Sequence, residues 1–185
     1  MDTDTFRNSL TEKDSVAILL KLYNADRRLN LSDLSGQVFN YYSLRKRVAQ
    51  FEEDGLVTVS LEMAPRKTVF VGLSPKGRKV GALLDGVQKL LSPMDMAESS
   101  MNLKYGIPVT VLLFRNGTMK QSEFLKLYNS YNGLAKTLFP AMERDGIIRQ
   151  WLTEESYRTN MIELTDLGKD IGSLLDEVVR IIRKK

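Results

Sequence analysis

The chain has 185 residues, a net charge of +4, and 43% hydrophobic against 27% charged side chains, the balance of a water-soluble globular protein with room for one ordinary domain or two small ones. It contains no cysteine and no histidine, which excludes disulfides, thiolate nucleophiles, Cys/His zinc sites and imidazole triads, and leaves carboxylates, lysines and hydroxyls for any catalysis. No stretch approaches the ~20 apolar residues of a membrane span, and the first residues carry no basic cluster or apolar run, so the expectation is a cytoplasmic chain with no membrane contact, no enzymatic activity and no cofactor.

In chain order, Val16, Leu19, Leu20 and Tyr23 recur at helical spacing, with Asp14 or Ser15 as the N-cap. Ser32 is expected to cap a short segment that runs to Phe39. A third helix is predicted over residues 41–54, with Leu44, Val48 and Phe51 as its apolar stripe and Gly55 as its stop. Two β-rich runs, 56–61 and 68–73, flank a turn containing Pro65, Arg66 and Lys67, which reads as a hairpin with a basic tip. Ser74 then caps a longer helix with Pro75 at its first position and Val80, Leu83, Leu84, Val87, Leu90 and Leu91 on one side. After it, residues 92–102 combine Pro93 with serines, methionines and acids and lack strong periodicity, so the joint of the chain is placed there.

Beyond the joint the sequence repeats. Glu53, Asp54, Gly55, Leu56 and Val57 are answered 91 positions later by Arg144, Asp145, Gly146, Ile147 and Ile148. At the same offset Leu73, Ser74, Gly77 and Arg78 fall on Leu164, Thr165, Gly168 and Lys169, and Val80, Gly81, Leu83, Leu84, Asp85 and Val87 fall on Ile171, Gly172, Leu174, Leu175, Asp176 and Val178. Upstream, Ser32, Asp33 and Leu34 match Ser122, Glu123 and Phe124 at an offset of 90, so a one-residue difference in length precedes the shared Asp-Gly. The expected organisation is one module over residues 1–92, a linker over 93–102, and a second, degenerate module over 103–185.

Each copy reads as three helices, a hairpin and a helix. The basic third helix ending in Glu53-Asp54-Gly55-Leu56-Val57, and the second hairpin strand running into Leu73-Ser74-Pro75-Lys76-Gly77-Arg78, resemble the prokaryotic winged-helix regulators typified by the MarR, PadR and HxlR families. That resemblance implies an α+β, mainly α fold of two tandem winged helix-turn-helix domains, each with a two-stranded wing and a post-wing helix. It also implies transcriptional control by double-stranded DNA binding, in dimers whose post-wing helices pair.

At 100° per residue, the stripe of the third helix leaves Tyr42, Lys46 and Gln50 facing solvent, with Arg45 and Arg47 on the flanks. Lys46 and Gln50 are expected to reach base edges in a major groove and Arg45 and Arg47 the phosphates, with Tyr42 and Ser43 at the start of the same surface. Arg66 and Lys67 at the wing would meet the backbone or the adjacent minor groove. A charge run such as 45–47 is ordinarily a solvated helix face; its position on the third helix, with a second basic cluster at the wing, turns the reading toward nucleic acid.

The second copy differs. Its third helix, expected over residues 131–145, offers only Lys136 and Arg144 outward, and contains Gly133 and Pro140, the latter expected to cost an amide bond and bend the axis. Leu134, Ala135, Leu138, Phe139 and Met142 make its apolar face wide, and its wing carries Glu154 and Glu155, with Arg158 matching Lys67. The first copy is therefore expected to bind DNA and the second to support assembly. Trp151 and Tyr157 are expected as cross-strand partners. The closing helix places Ile171, Leu174, Leu175, Val178, Val179 and Ile182 on one side, as core or as a dimer seam, either between chains or between the two post-wing helices of one chain. Two other readings use the same scaffold: a protein-interaction module of chromosome-condensing or membrane-trafficking assemblies, and a plasmid or viral replication initiator. No Gly-rich phosphate loop is present, and the carboxylates show no metal-cage spacing.

Overall fold

A computed structural model describes residues 9–35, 40–63, 66–154 and 158–184. The chain is α+β and mainly helical. After a 3-10 turn at Ser9–Thr11 come α1 (Ser15–Ala25), β1 (Leu29–Asn30), α2 (Leu31–Ser35), α3 (Tyr41–Glu53), β2 (Val57–Glu62), β3 (Thr68–Leu73) and α4 (Pro75–Leu91). A second 3-10 turn at Ser100–Asn102 opens the same series again: α5 (Gly106–Asn116), β4 (Met119–Lys120), α6 (Gln121–Tyr128), a π-helical segment (Asn132–Leu138) running into α7 (Phe139–Arg144), β5 (Ile148–Leu152), β6 (Asn160–Leu164) and α8 (Asp166–Arg183). The two small antiparallel sheets have equivalent orders, β1-β3-β2 and β4-β6-β5. The short first strand of each, Leu29–Asn30 paired with Val71 and Phe70 and Met119–Lys120 paired with Ile162 and Met161, has no signal in the sequence pattern because two residues carry no alternation.

The residues shared between halves make the same bonds in each. Gly55 and Gly146 end their helices at φ 70° and 71°, a left-handed conformation that side chains with a Cβ disfavour. The carboxylate of Asp54 accepts the backbone N–H of Ser9 at 3.0 Å, and that of Asp145 accepts the N–H of Ser100 at 2.6 Å, tying each third helix to the start of its own half. Ser74 caps α4 by accepting from the Gly77 N–H at 2.9 Å and donates to the Gly55 carbonyl at 2.6 Å; Thr165 does the same with Gly168 and Gly146 at 3.0 and 2.5 Å. A Cβ at Gly77 would lie 1.9 Å from the Leu56 carbonyl oxygen, and at Gly168 2.0 Å from that of Ile147, so no larger residue fits against the hairpin at either position. The short second helix departs from expectation: it spans Leu31–Ser35, its start is capped by Asn30, whose side chain accepts the Asp33 N–H at 2.7 Å, and Ser32 lies inside it. Phe39, the expected end of that segment, lies outside the described residues, as do Pro65, Glu155 and Tyr157.

The one-residue difference in length has a physical form. In α3 the buried positions Leu44, Val48 and Phe51 are spaced four and three apart; in the second half the buried Leu134, Phe139 and Met142 are spaced five and three. The wider π turn between Asn132 and Leu138 takes up the extra residue, and Pro140 stands at the second position of α7, directly after that turn. Pro140, which has no N–H to donate, thus lies within the continuous helix where π winding gives way to α winding.

The halves are clasped by reciprocal bonds. The Asp14 N–H donates to the Asn102 carbonyl at 3.1 Å, and the Tyr105 N–H, 91 positions after Asp14, donates to the Thr11 carbonyl at 2.9 Å. Asp14 and Tyr105 share a left-handed backbone, at φ 67° and 70°. The Asp14 side chain does not cap α1; its carboxylate accepts from the Asn102 amide at 3.2 Å. This isologous pattern, in which each half gives the other what it receives, is that of a two-fold dimer contained in one chain. α4 and α8 pack together, close enough that a Cβ on Gly86 would touch Leu174 at 3.3 Å, and the Lys76 ammonium donates to the Ile182 and Lys184 carbonyls at the end of α8, at 2.8 and 3.0 Å. Buried apolar side chains of both halves, among them Val87, Leu91, Val178, Val179 and Ile182, belong to one continuous core. Of the two seams envisaged, the one between two long helices of a single chain is formed.

The segment expected as a linker is part of that core. Met96 and Met101 are buried, as are Ser99, Ser100 and Asn102, and the Gln88 side chain holds the segment by donating to the Met94 carbonyl at 2.9 Å and accepting the Met96 N–H at 2.6 Å. The repeat also begins inside it, since Ser100–Asn102 matches Ser9–Thr11 at the offset of 91.

Candidate nucleic-acid interface

The outward face of α3 follows from how the helix is held. Asn40 caps it, accepting from the N–H groups of Tyr42 and Ser43 at 3.0 and 3.4 Å, and the buried stripe of Leu44, Val48 and Phe51 fixes its rotation. Tyr42, Ser43, Arg45 and Lys46 are exposed, Tyr42 at 82% of its full accessible surface. Tyr41 is exposed as well and stands edge-on to Tyr42, with ring centroids 6.4 Å apart; three residues before Leu44, it projects onto the apolar stripe, and it is exposed because it sits at the first position of the helix. Neither Arg45 nor Lys46 forms an ion pair with the described residues, so both retain their charge for a polyanion.

Two expected contact residues are engaged elsewhere. The Arg47 guanidinium donates to Gln50 Oε1 at 2.7 Å and to Glu12 Oε2 at 3.3 Å, and its side chain is only 13% exposed. Glu12 also faces Lys104, at 3.7 Å, so a single carboxylate links the third helix of the first half to the start of the second. A flank position on a helical wheel does not reveal a partner 35 residues away. Gln50 is half-buried, with its side-chain oxygen occupied by Arg47.

At the hairpin tip Arg66 and Lys67 are exposed, and the Thr68 hydroxyl donates to the Arg66 carbonyl at 3.0 Å, shaping the return into β3. The flanking cation Arg28 is neutralised: it pairs with Glu62 at 2.9 Å, bonds Ser60 at 3.1 Å and lies 5.6 Å from the Phe70 ring centroid. The structure therefore leaves six of the eight expected residues outward, Tyr42, Ser43, Arg45 and Lys46 on α3 and Arg66 and Lys67 at the hairpin tip, with Tyr41 as an additional exposed aromatic.

The matching surface of the second half is different in kind. Lys136 is exposed beside Tyr131, 5.9 Å from its ring centroid; Thr137 stands where Lys46 stands in α3, and buried Leu138 where Arg47 does. The Arg144 guanidinium binds Asp145 at 2.7 Å, and Glu143 is exposed next to it. In the second hairpin Trp151 is opposite Met161 and lies near Arg149, whose own charge is met by Glu163; Trp151 and Leu152 are both exposed.

Among the described residues no group of carboxylates could hold a metal ion, and no helix is long and apolar enough to cross a membrane. The sequence matches no protein-family model and no curated protein.

Proposed function

We propose that the chain is a tandem winged-helix protein that binds double-stranded DNA in a sequence-dependent way and acts as a transcriptional regulator without enzymatic activity. The observation that carries this reading is the joint exposure of Arg45 and Lys46 on α3 and of Arg66 and Lys67 on the adjoining hairpin, in a unit ordered helix, strand, helix, helix, hairpin, helix. A helix with an exposed cationic and aromatic face fits a major groove, while a basic hairpin tip fits the neighbouring phosphates. Lys46 and Tyr42 are assigned to base edges, and Arg45, Arg66 and Lys67 to the backbone. Arg47 is assigned to holding α3 in place.

Titration of a duplex pool at two salt concentrations tests this. With Z phosphates neutralised, the log-log salt slope is about −0.9Z, so the three backbone cations give a slope of about −2.7. The combined Arg45→Ala and Lys46→Ala variant should lose most of the affinity. A chain that binds no duplex at low salt would instead fit the protein-interaction reading, which the exposed Tyr131, Trp151 and Leu152 of the second half favour.

A further inference from the structure

Resting on the DNA-binding reading, we infer that a single chain recognises one asymmetric stretch of duplex, a lone half-site, with its own second half standing in for the partner protomer. Inverted-repeat sites are read when a two-fold frame carries two like reading heads. Here the frame is two-fold: Asp14 bonds Asn102 as Tyr105 bonds Thr11, and the sheets have equivalent strand orders. The heads are unlike. Where α3 exposes Arg45 and Lys46, the second half has Lys136 and Thr137; the wing pair Arg66 and Lys67 has only Arg158 as its described counterpart, with exposed Glu154 nearby.

The backbone separates the heads further. The π turn between Asn132 and Leu138 adds a residue ahead of Phe139, so Lys136 lies on a turn of different pitch from the one that sets Arg45 in α3. Pro140 stands where α3 has Ala49, on the exposed side. A second half-site therefore meets one lysine on a wider helix and a hairpin in which Glu154 offsets Arg158. The frame is also complete without another chain, since the faces of α4 and α8 that would pair between protomers bury Val87, Leu91, Val178 and Val179 against the shared core.

The test begins by selecting bound sequences from a random duplex pool with the full-length protein. A duplex carrying one copy of the selected site is then compared with one carrying an inverted repeat at about 10 bp between centres, one turn of B-DNA. Sedimentation should give one chain per single site, and affinity per chain should agree within about twofold for the two duplexes. Lys46→Ala should weaken binding by about tenfold, while Lys136→Ala changes affinity by no more than about twofold. Both side chains are exposed, so folding is not at stake. An inverted repeat bound more than about tenfold tighter per chain, or equal losses from the two lysine variants, would overturn the half-site inference and leave DNA binding standing. No duplex binding at low salt would overturn both.

Discussion

The backbone N–H of Tyr105 reaches across the molecule to the carbonyl of Thr11, 2.9 Å away, and Asp14 returns the bond to Asn102. With a core continuous across both halves, this makes independent unfolding of either half costly. The intact chain should therefore melt in one transition. Its single tryptophan, Trp151, reports on the second half, while far-ultraviolet circular dichroism reports on all the helices. The two curves should coincide, and separated midpoints would show the halves to be autonomous.

Asp145 and Asp54 occupy equivalent places but different environments. The Asp145 carboxylate is fully buried and serves both the Ser100 N–H and Arg144, whereas Asp54 is half-buried and accepts from Ser9. Asp145→Ala should cost about 1–3 kcal/mol by leaving a buried N–H without its acceptor, and Asp54→Ala should cost less. Denaturant midpoints at constant m-value measure both.

Much of this fold is legible in the sequence, because the shared residues do one geometric job each. Gly77 and Gly168 are identical since a carbonyl lies against both, and the Asp-Gly pairs recur because each ends a helix and anchors the start of a half. What escapes has identifiable causes. The buried segment around Met96 and Met101 has no period to detect, although Ser9 and Ser100, 91 apart, already mark the repeat there. The π turn shows as the change of repeat offset from 90 to 91 and as a spacing of five between Leu134 and Phe139, but an assumption of α geometry hides its form. In the candidate interface, the exposure of Lys46 follows from the stripe beneath it; the capture of Arg47 by Glu12 depends on tertiary packing that no local pattern encodes.

Gly77→Ala and Gly168→Ala should be destabilising to a similar extent. Each new methyl would overlap a backbone carbonyl, and backbone cannot swing aside as a flexible side chain can. Losses of about 1–3 kcal/mol or more are expected, as for other overpacked sites. Thermal denaturation of the two variants side by side checks the equivalence; a silent substitution at either position would show that the helix and hairpin can move apart.

Arg47→Ala should act mainly on stability. Its guanidinium is committed to Glu12 and Gln50, so removing it frees Glu12 on one side and loosens α3 on the other. The salt slope of duplex binding should change by well under the ~0.9 expected for loss of a phosphate contact. A drop of a full contact, with an unchanged melting temperature, would place Arg47 on the DNA.

Tyr128 gives the chain a response to alkaline pH. Burial pushes its phenol well above the usual range, with a smaller contribution from Tyr105, and its hydroxyl is buried with no bonding partner among the described residues. A pKa raised in the folded state contributes stability that is fully present below the unfolded value and is lost as pH rises toward the folded one. The protein should therefore weaken above about pH 10, where unfolded tyrosine ionises and the folded side chain resists. Tyr128→Phe should flatten that decline while retaining the ring contact with Tyr105 at 4.7 Å between centroids. Urea midpoints at neutral pH and at about pH 10.5 compare the two proteins; parallel declines would assign the alkaline response elsewhere.

In a homodimer every substitution is written twice, once on each face, so a change that suits one side is imposed on the other. The reciprocal clasp between Thr11 and Tyr105 and between Asp14 and Asn102 frees this chain from that constraint. Mutations could convert the counterpart of Lys46 to Thr137, insert a residue at the π turn and place Pro140 on the surface while α3 kept its cations. Symmetry survives in the joints, where both halves must still fit, and lapses on the surfaces, where nothing requires the two halves to match.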